Sequence, residues 1–257
     1  MSNRIEQLRQ QYQSCPFLVL SFPRCGRTWM KLLLGHYISK MYNVPFTKRL
    51  EKKRSNIPAI LFRHDFMSNA GEIPWKEFNK LKEGNSFIYQ NEMESQKIIY
   101  LFRDPLDVMF SYWPYLKAGS YHNFPEMTHN SIIEFAQDKE WGLDLILKFQ
   151  NMQINHYEQN KNAKVLIKYE LLKTRETEWQ KLIKFLFNVF NNEAFQYAKQ
   201  QTEFTKLQKE NKNDRPPELA FFRKGQSNYA NELPDEQKEI LVNWPGYKEL
   251  KQKIGQF

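Results

Sequence analysis

The residues best suited to chemistry in this chain crowd into one short turn, Ser21-Phe22-Pro23-Arg24-Cys25-Gly26-Arg27-Thr28-Trp29. Gly26 allows a tight turn and a close approach of backbone to a ligand. Arg24 and Arg27 carry forked guanidinium donors that match the oxygens of a phosphate or sulfate, and Thr28 adds a hydroxyl. The turn lies between an apolar run and a helical pattern, a setting that aims backbone N–H groups and the positive helix end at an anion. Its tail, Gly26-Arg27-Thr28, imitates the close of the G-x-x-x-x-G-K-S/T phosphate loop. Ser21, however, stands where the first glycine belongs, and Arg27 where the lysine belongs. A nucleoside-triphosphate enzyme also needs Mg²⁺ and a separate acidic residue to hold it, and no apolar run ends in a suitable aspartate. The expectation is a phosphate-like anion bound without a metal.

Three further groups stand at the ends of apolar runs or in a basic loop. His64 follows Phe62-Arg63, and a near-neutral imidazole there can take a proton as a general base. Arg103 closes the run Ile98-Ile99-Tyr100-Leu101-Phe102, and Ser111 lies two helical turns later, so a helix folded over its strand brings both to one anion. Arg223 and Lys224 form a basic pair beside Gly225 and can close over the same anion. His36 is expected to pack or cap, and His122, His129 and His156 to be structural.

Positioning these groups requires strands that end together. Phe17–Leu20, 59–62, 98–102 and 165–167 read as buried strands. Helical spacing is expected over 29–41, 131–157, 176–189 and 193–200, and near 234–242, with Asp104 capping and Pro105 opening a further helix. The last forty residues otherwise read as irregular. Strands alternating with amphipathic helices imply an α/β fold of three layers, a central parallel sheet flanked by helices with P-loop-like architecture. Such sheets bind ligands at the carboxyl ends of their strands. No linker divides the chain, so a single domain spanning 1–257 is expected, with its core at about 16–233 and a short helical segment at 1–14.

Composition narrows the class. An apolar content of 41%, including 20 Phe, 13 Tyr and 6 Trp, excludes a disordered chain, and only Cys15 and Cys25 are available for a disulfide. A reduced, cytoplasmic setting is expected, without a membrane span. The net charge of +9 suits a polyanionic ligand, an anionic surface or nucleic acid; the chain lacks a zinc motif, a stacking motif or a basic arm for the last of these.

The turn resembles the 5′-phosphosulfate loop of the cytosolic-type sulfotransferases, Y-P-K-S-G-T-T-W, with Arg24 for Lys and Cys25 for Ser. Further segments match in order. Residues 97–112, from Lys97 to Tyr112, resemble K-x-I-Y-x-x-R-N-P-x-D-x-x-x-S-Y. Lys168-Tyr169-Glu170-Leu171-Leu172 resembles the Y-E-D-L segment, Thr202-Glu203-Phe204 the T-S-F segment, and Phe222-Arg223-Lys224-Gly225 the R-K-G segment. His64 resembles the histidine of the K-T-H segment, although Phe62 stands where that segment has lysine, with Arg63 beside it.

The resemblance implies an enzyme that moves the sulfuryl group of 3′-phosphoadenosine 5′-phosphosulfate (PAPS) to a hydroxyl or amine, releasing adenosine 3′,5′-bisphosphate and using no metal. It implies a catalytic role for His64 as base and for Arg24 at the leaving oxygen. Residues 24–29 (Arg24, Cys25, Gly26, Arg27, Thr28 and Trp29) would hold the 5′ end. Arg103, Ser111, Arg223, Lys224 and Gly225 would hold the 3′-phosphate, and Trp29, Tyr169, Thr202 and Phe204 the adenine. A small molecule or carbohydrate is the expected acceptor, in a pocket drawn from 65–75, 112–130 and 141–149, where Tyr112, Trp113, Tyr115, Tyr121, His122 and Phe124 offer aromatic walls. The competing readings are a metal-dependent P-loop-like kinase and a basic nucleic-acid-binding module.

Overall fold

Phe17-Leu18-Val19-Leu20 is buried along its whole length, as a strand covered on both faces must be. In a computed structural model that describes residues 10, 13–54, 56–64, 96–117, 128–207 and 228–257, this strand, β1 (Phe17–Leu20), lies inside a parallel sheet. The others are β2 (Ile60–Arg63), β3 (Lys97–Phe102) and β4 (Lys164–Lys168), and the order is β2-β1-β3-β4. Leu20 lies opposite both Arg63 and Tyr100, while Phe102 lies opposite Lys168. All four strands therefore finish at one rim, and the Ser21 N–H extends the ladder by donating to the Arg63 carbonyl at 3.3 Å.

The chain runs from β1 outward to β2, then crosses to the opposite side of β1 to enter β3. That reversal opens a crevice between the carboxyl ends of β1 and β3, the place where open parallel sheets take their ligands. The Arg24 turn follows β1 and Arg103 follows β3, so topology alone brings both arginines to it.

Helix α1 (Arg27–Tyr42) buries Met30, Leu33, Leu34, Tyr37 and Ile38. Helix α2 (Pro105–Lys117) begins where the sequence places it: Asp104 Oδ1 accepts from Leu106 N at 3.0 Å, and Pro105 occupies the first turn. Pro114 sits inside this helix. The remaining helices are α3 (Ile132–Ala136), α4 (Leu143–Gln159), α5 (Tyr169–Thr174), α6 (Glu176–Phe187), α7 (Asn192–Gln201), α8 (Asp235–Val242) and α9 (Tyr247–Gly255), with a 3-10 turn at Tyr229–Glu232. None of the described helices is long and apolar enough to cross a membrane.

Two expectations are corrected. The helix expected over 131–157 is two helices, because Asp138 Oδ1 accepts from the N–H groups of Glu140 and Trp141 and folds the chain into a turn. A side chain at Gly142 would lie 2.4–2.6 Å from the carbonyls of Asp138, Ala136 and Phe135. The end of the chain is more regular than its composition suggests: α9 buries only Tyr247 and Leu250, too thin an apolar stripe to stand out among its lysines. It is tied down by Asp104, whose Oδ2 accepts from Tyr247 Oη at 3.0 Å and pairs with Lys251 Nζ at 3.1 Å. The short helix expected over 1–14 lies almost wholly outside the described residues.

Gly142→Ala is expected to destabilise the fold by roughly 1–3 kcal/mol, the scale of forced overpacking. Gly255→Ala, which meets nothing within 4 Å, is expected to be neutral or stabilising by up to about 0.5 kcal/mol. Urea midpoints of the two variants read this difference directly.

Candidate functional site

Arg24 adopts a left-handed backbone, φ 68, which costs a residue with a Cβ of order 1–2 kcal/mol. Its surroundings enforce that conformation. Arg103 Nη1 donates to the Arg24 carbonyl at 3.0 Å, and Arg24 Nε donates to Ser111 Oγ at 3.0 Å. The Arg24 guanidinium also lies 4.7 Å above the Tyr115 ring. Strand β3, helix α2 and the turn are thus knotted together by two arginines.

Gly26 is the N-cap of α1, with φ 92 and no side-chain cap, and the first turn holds no acidic residue. The positive end of the helix is left without a carboxylate of its own. A Cβ at Gly26 would come within 2.4 Å of the Tyr169 ring, so glycine is required here both by the backbone and by its neighbour. Cys25 turns its side chain into the core, and burial pushes its thiol up to about 12. It reaches the crevice through its backbone alone.

Tyr169, the first residue of α5, binds this end of the sheet together. Its ring receives the Arg103 guanidinium at 4.7 Å and meets the Trp29 ring edge-on at 5.9 Å. Arg103 is itself 7% exposed, and its carbonyl accepts from Gln150 Nε2 at 2.9 Å. The next peptide is pinned as well, since Asp104 N–H donates to Glu170 Oε1 at 2.9 Å. Trp29 Nε1 donates to the Thr202 carbonyl at 3.3 Å, while the Thr202 hydroxyl donates to Ala198 O at 2.8 Å in its own helix. Toward a ligand, Thr202 Oγ1 therefore offers lone pairs. Phe204 is half-buried just beyond it.

His64 stands at the end of β2, and its Nδ1 lies 2.5 Å from the Ser21 carbonyl. A carbonyl only accepts, so Nδ1 carries the proton and Nε2 holds the lone pair. Burial, with Arg27, Arg63 and Lys31 near by, holds this imidazole well below its usual pKa; the bond to Ser21 opposes them. It is neutral at pH 7 and Nε2 is a ready proton acceptor. Lys31, one turn beyond Arg27 on α1, places its ammonium 4.7 Å over the Phe62 ring, and burial lowers its pKa too.

The structure therefore brings together Arg24, Gly26, Trp29, Arg103, Ser111 and Tyr169 around one crevice. Arg27 and Thr28 open α1 at its mouth, and His64 shares the Ser21 segment. Arg223, Lys224 and Gly225 lie outside the described residues, as do 65–75, Tyr121, His122 and Phe124. Among the other expected acceptor walls, Tyr112 and Phe149 instead flank Phe22 in the core, each at 5.2 Å, whereas Trp113 and Tyr115 keep exposed area. His36 stacks on Phe46, His129 pairs with Asp138, and His156 bonds Tyr100 Oη, which agrees with their structural reading. Sequence reasoning placed Tyr115 only among the acceptor walls, and it gave no role to Lys31 or the Ser21 carbonyl. Lys31 was reachable, because it follows Arg27 by four residues on a helix. The seat of Tyr115 under Arg24 and the Ser21 bond to His64 depend on tertiary contacts.

Gly26→Ala is expected to destabilise the protein by roughly 2–4 kcal/mol, combining overpacking against Tyr169 with a left-handed alanine. An unchanged denaturation midpoint would mean that Tyr169 does not rest on the turn.

A family model described as the sulfotransferase domain matches residues 15–254. None of the curated proteins matches the sequence. Among solved structures, the chain is similar to mouse sulfotransferase SULT7A1 complexed with PAP, at a TM-score of 0.58 and 16% identity, covering 97% of this chain and 94% of that one.

Proposed function

Because the chain belongs to the sulfotransferase domain family, we propose that it transfers the sulfuryl group of PAPS to a hydroxyl or amine of a small-molecule or carbohydrate acceptor, with His64 as general base. The observation that carries this reading is the shared use of one segment. The Ser21 carbonyl orients His64, and three residues later Arg24 enters the cationic turn, so a base and an anion cradle are built on the same stretch of backbone.

The cradle fits a nucleotide phosphosulfate. Gly26 lets the backbone approach closely, α1 presents an uncapped N-terminus, and Arg24 and Arg27 supply charge. PAPS, when bound, supplies a sulfuryl group on a good phosphate leaving group. Arg24 and the turn N–H groups neutralise the charge that builds on that leaving oxygen. Arg103 and Ser111, which bond to Arg24 from the β3–α2 side of the crevice, hold the 3′-phosphate together with Arg223, Lys224 and Gly225. Trp29 and Tyr169, packed edge to face, offer one wall for the adenine, and Thr202 and Phe204 border it. His64 Nε2 takes the proton from the acceptor as its oxygen or nitrogen bonds to sulfur. Nδ1 stays protonated on Ser21 throughout, which holds the ring in register. The similar mouse sulfotransferase is complexed with PAP, and that supports the same choice of nucleotide here.

Transfer of labelled sulfate from PAPS onto a panel of phenols, alcohols and sugars tests the reaction. Adenosine 3′,5′-bisphosphate at a hundred times its Kd should stabilise the protein by about 2.7 kcal/mol without Mg²⁺, whereas Mg²⁺-ATP should not. His64→Ala should lower turnover by about 10²–10⁴-fold, the usual worth of a general base, with bisphosphate binding retained; surviving turnover removes His64 from the mechanism. Arg103→Ala should weaken bisphosphate binding by about 1.5–3 kcal/mol, the value of a charged hydrogen bond.

The pH dependence follows in sign. Nε2 works only when the ring is neutral, and the folded protein lowers the imidazole pKa. The acid limb of kcat/KM, which reports the free enzyme, should therefore lie below the ordinary imidazole value, and activity should persist into mildly acidic buffer. A limb above that value would contradict the cationic surroundings of His64.

A further inference from the structure

Lys31 takes no step in the mechanism above, yet it links the two elements that carry it. It follows Arg27 by four residues, so both project from one side of α1. Its ammonium lies 4.7 Å over the ring of Phe62 on β2, two residues before His64. Holding a charge there is unfavourable. The residue is half-buried, and burial and Arg27 both lower its pKa, with Glu51 opposing them. Among the described residues the ammonium forms no ion pair and no hydrogen bond; it meets the face of an aromatic ring instead. A charge withdrawn from water without a partner is costly, and an anion arriving beside it offsets that cost.

Strand alternation sharpens the assignment. Phe62 and Arg63 are neighbours on β2, so their side chains leave opposite faces of the sheet. Lys31 covers the Phe62 face. The position that carries lysine in the K-T-H segment is therefore apolar here, and α1 returns an ammonium to the same face from a different element, while Arg63 leaves from the other. The start of α1 holds the 5′ end of the donor in the reading above, and His64 Nε2 faces the acceptor. The transferring group passes between them, and Lys31 spans from the one toward the other. We propose that Lys31 is a further catalytic residue, whose ammonium donates to the non-bridging oxygens of the sulfuryl group during transfer. The proposal rests on the reading of this crevice as a PAPS site. As the acceptor oxygen or nitrogen bonds to sulfur, the bond from sulfur to the phosphate oxygen breaks, and its electron pair stays on that oxygen beside Arg24. His64 Nε2 takes the acceptor proton, and Lys31 keeps its own throughout.

Two other roles would leave different marks. A lysine that merely lays its stem along apolar surface acts through packing, and methionine replaces it well. A lysine that acts only through His64, alongside Arg27 and Arg63, disfavours the imidazolium as a like charge. Its loss would move the acid limb of kcat/KM upward and leave the plateau alone. A lysine on the sulfuryl oxygens instead distinguishes PAPS from its product, because adenosine 3′,5′-bisphosphate lacks that group.

The test compares the Kd of PAPS with that of adenosine 3′,5′-bisphosphate, both measured calorimetrically on the full chain without acceptor or Mg²⁺. Lys31→Met keeps the stem on Phe62 and removes the charge. It should weaken PAPS by about tenfold, the equivalent of one charge-assisted hydrogen bond, and leave the bisphosphate unchanged. Turnover on the pH plateau should fall by about 10²–10³-fold, the loss seen when one preorganised donor is removed. Lys31→Arg, which keeps the charge, should keep most of both. Equal effects on the two nucleotides, an unchanged plateau, or an arginine variant no better than the methionine one would overturn the proposal. A wild-type protein that binds neither nucleotide would instead overturn the PAPS reading, a separate and recognisable result.

Discussion

The hydrogen bond from Arg103 to the Arg24 carbonyl is the constraint on which the rest of this site depends. A left-handed arginine is unfavourable in isolation, and a turn free to relax would swing its N–H groups away from the crevice. Arg103 prevents this, and it is in turn held by the Tyr169 ring on one side and the Gln150 amide beneath its own carbonyl. Two cations within one small crevice repel each other. Seating one over an aromatic face, and aiming its donor at the carbonyl of the other, turns that repulsion into a fixed geometry. The sheet supplies the registry, because β1 and β3 are neighbours that end at nearly the same level.

Positive surroundings that suit an anion also act on a proton. Arg27, Arg63 and Lys31 penalise an imidazolium at His64 and so preserve its neutral form. The backbone carbonyl of Ser21 then selects which nitrogen is basic. Cationic groups that suit an anion thus also keep the imidazole neutral, and among the described residues a backbone carbonyl, not the carboxylate of a hydrolytic triad, stands behind it.

Much of this was legible in the residues themselves. Strands buried on both faces leave continuous apolar runs, and each of the four was readable to within a residue or two. The start of α2 was written in Asp104-Pro105, and the anion turn in Arg24, Gly26, Arg27 and Thr28. Other features are non-local and left no local mark. The seating of Tyr169 on Gly26 joins residues that follow different strands, β4 and β1. Asp107 stands in the first turn of α2, yet its carboxylate reaches residues more than a hundred positions away. The fold of α9 was hidden because two buried side chains, Tyr247 and Leu250, anchor it.

Pro114 carries a mechanical consequence. Lacking an N–H, it withdraws one rung from the ladder of α2 at the level of Phe110. The portion before it bears Ser111 and is locked by Asp104 and Asp107 at its base. The portion after it bears Tyr115, whose ring lies beneath the Arg24 guanidinium. A bend at this point would cost less than elsewhere in α2, because the backbone bond to Phe110 is already missing there.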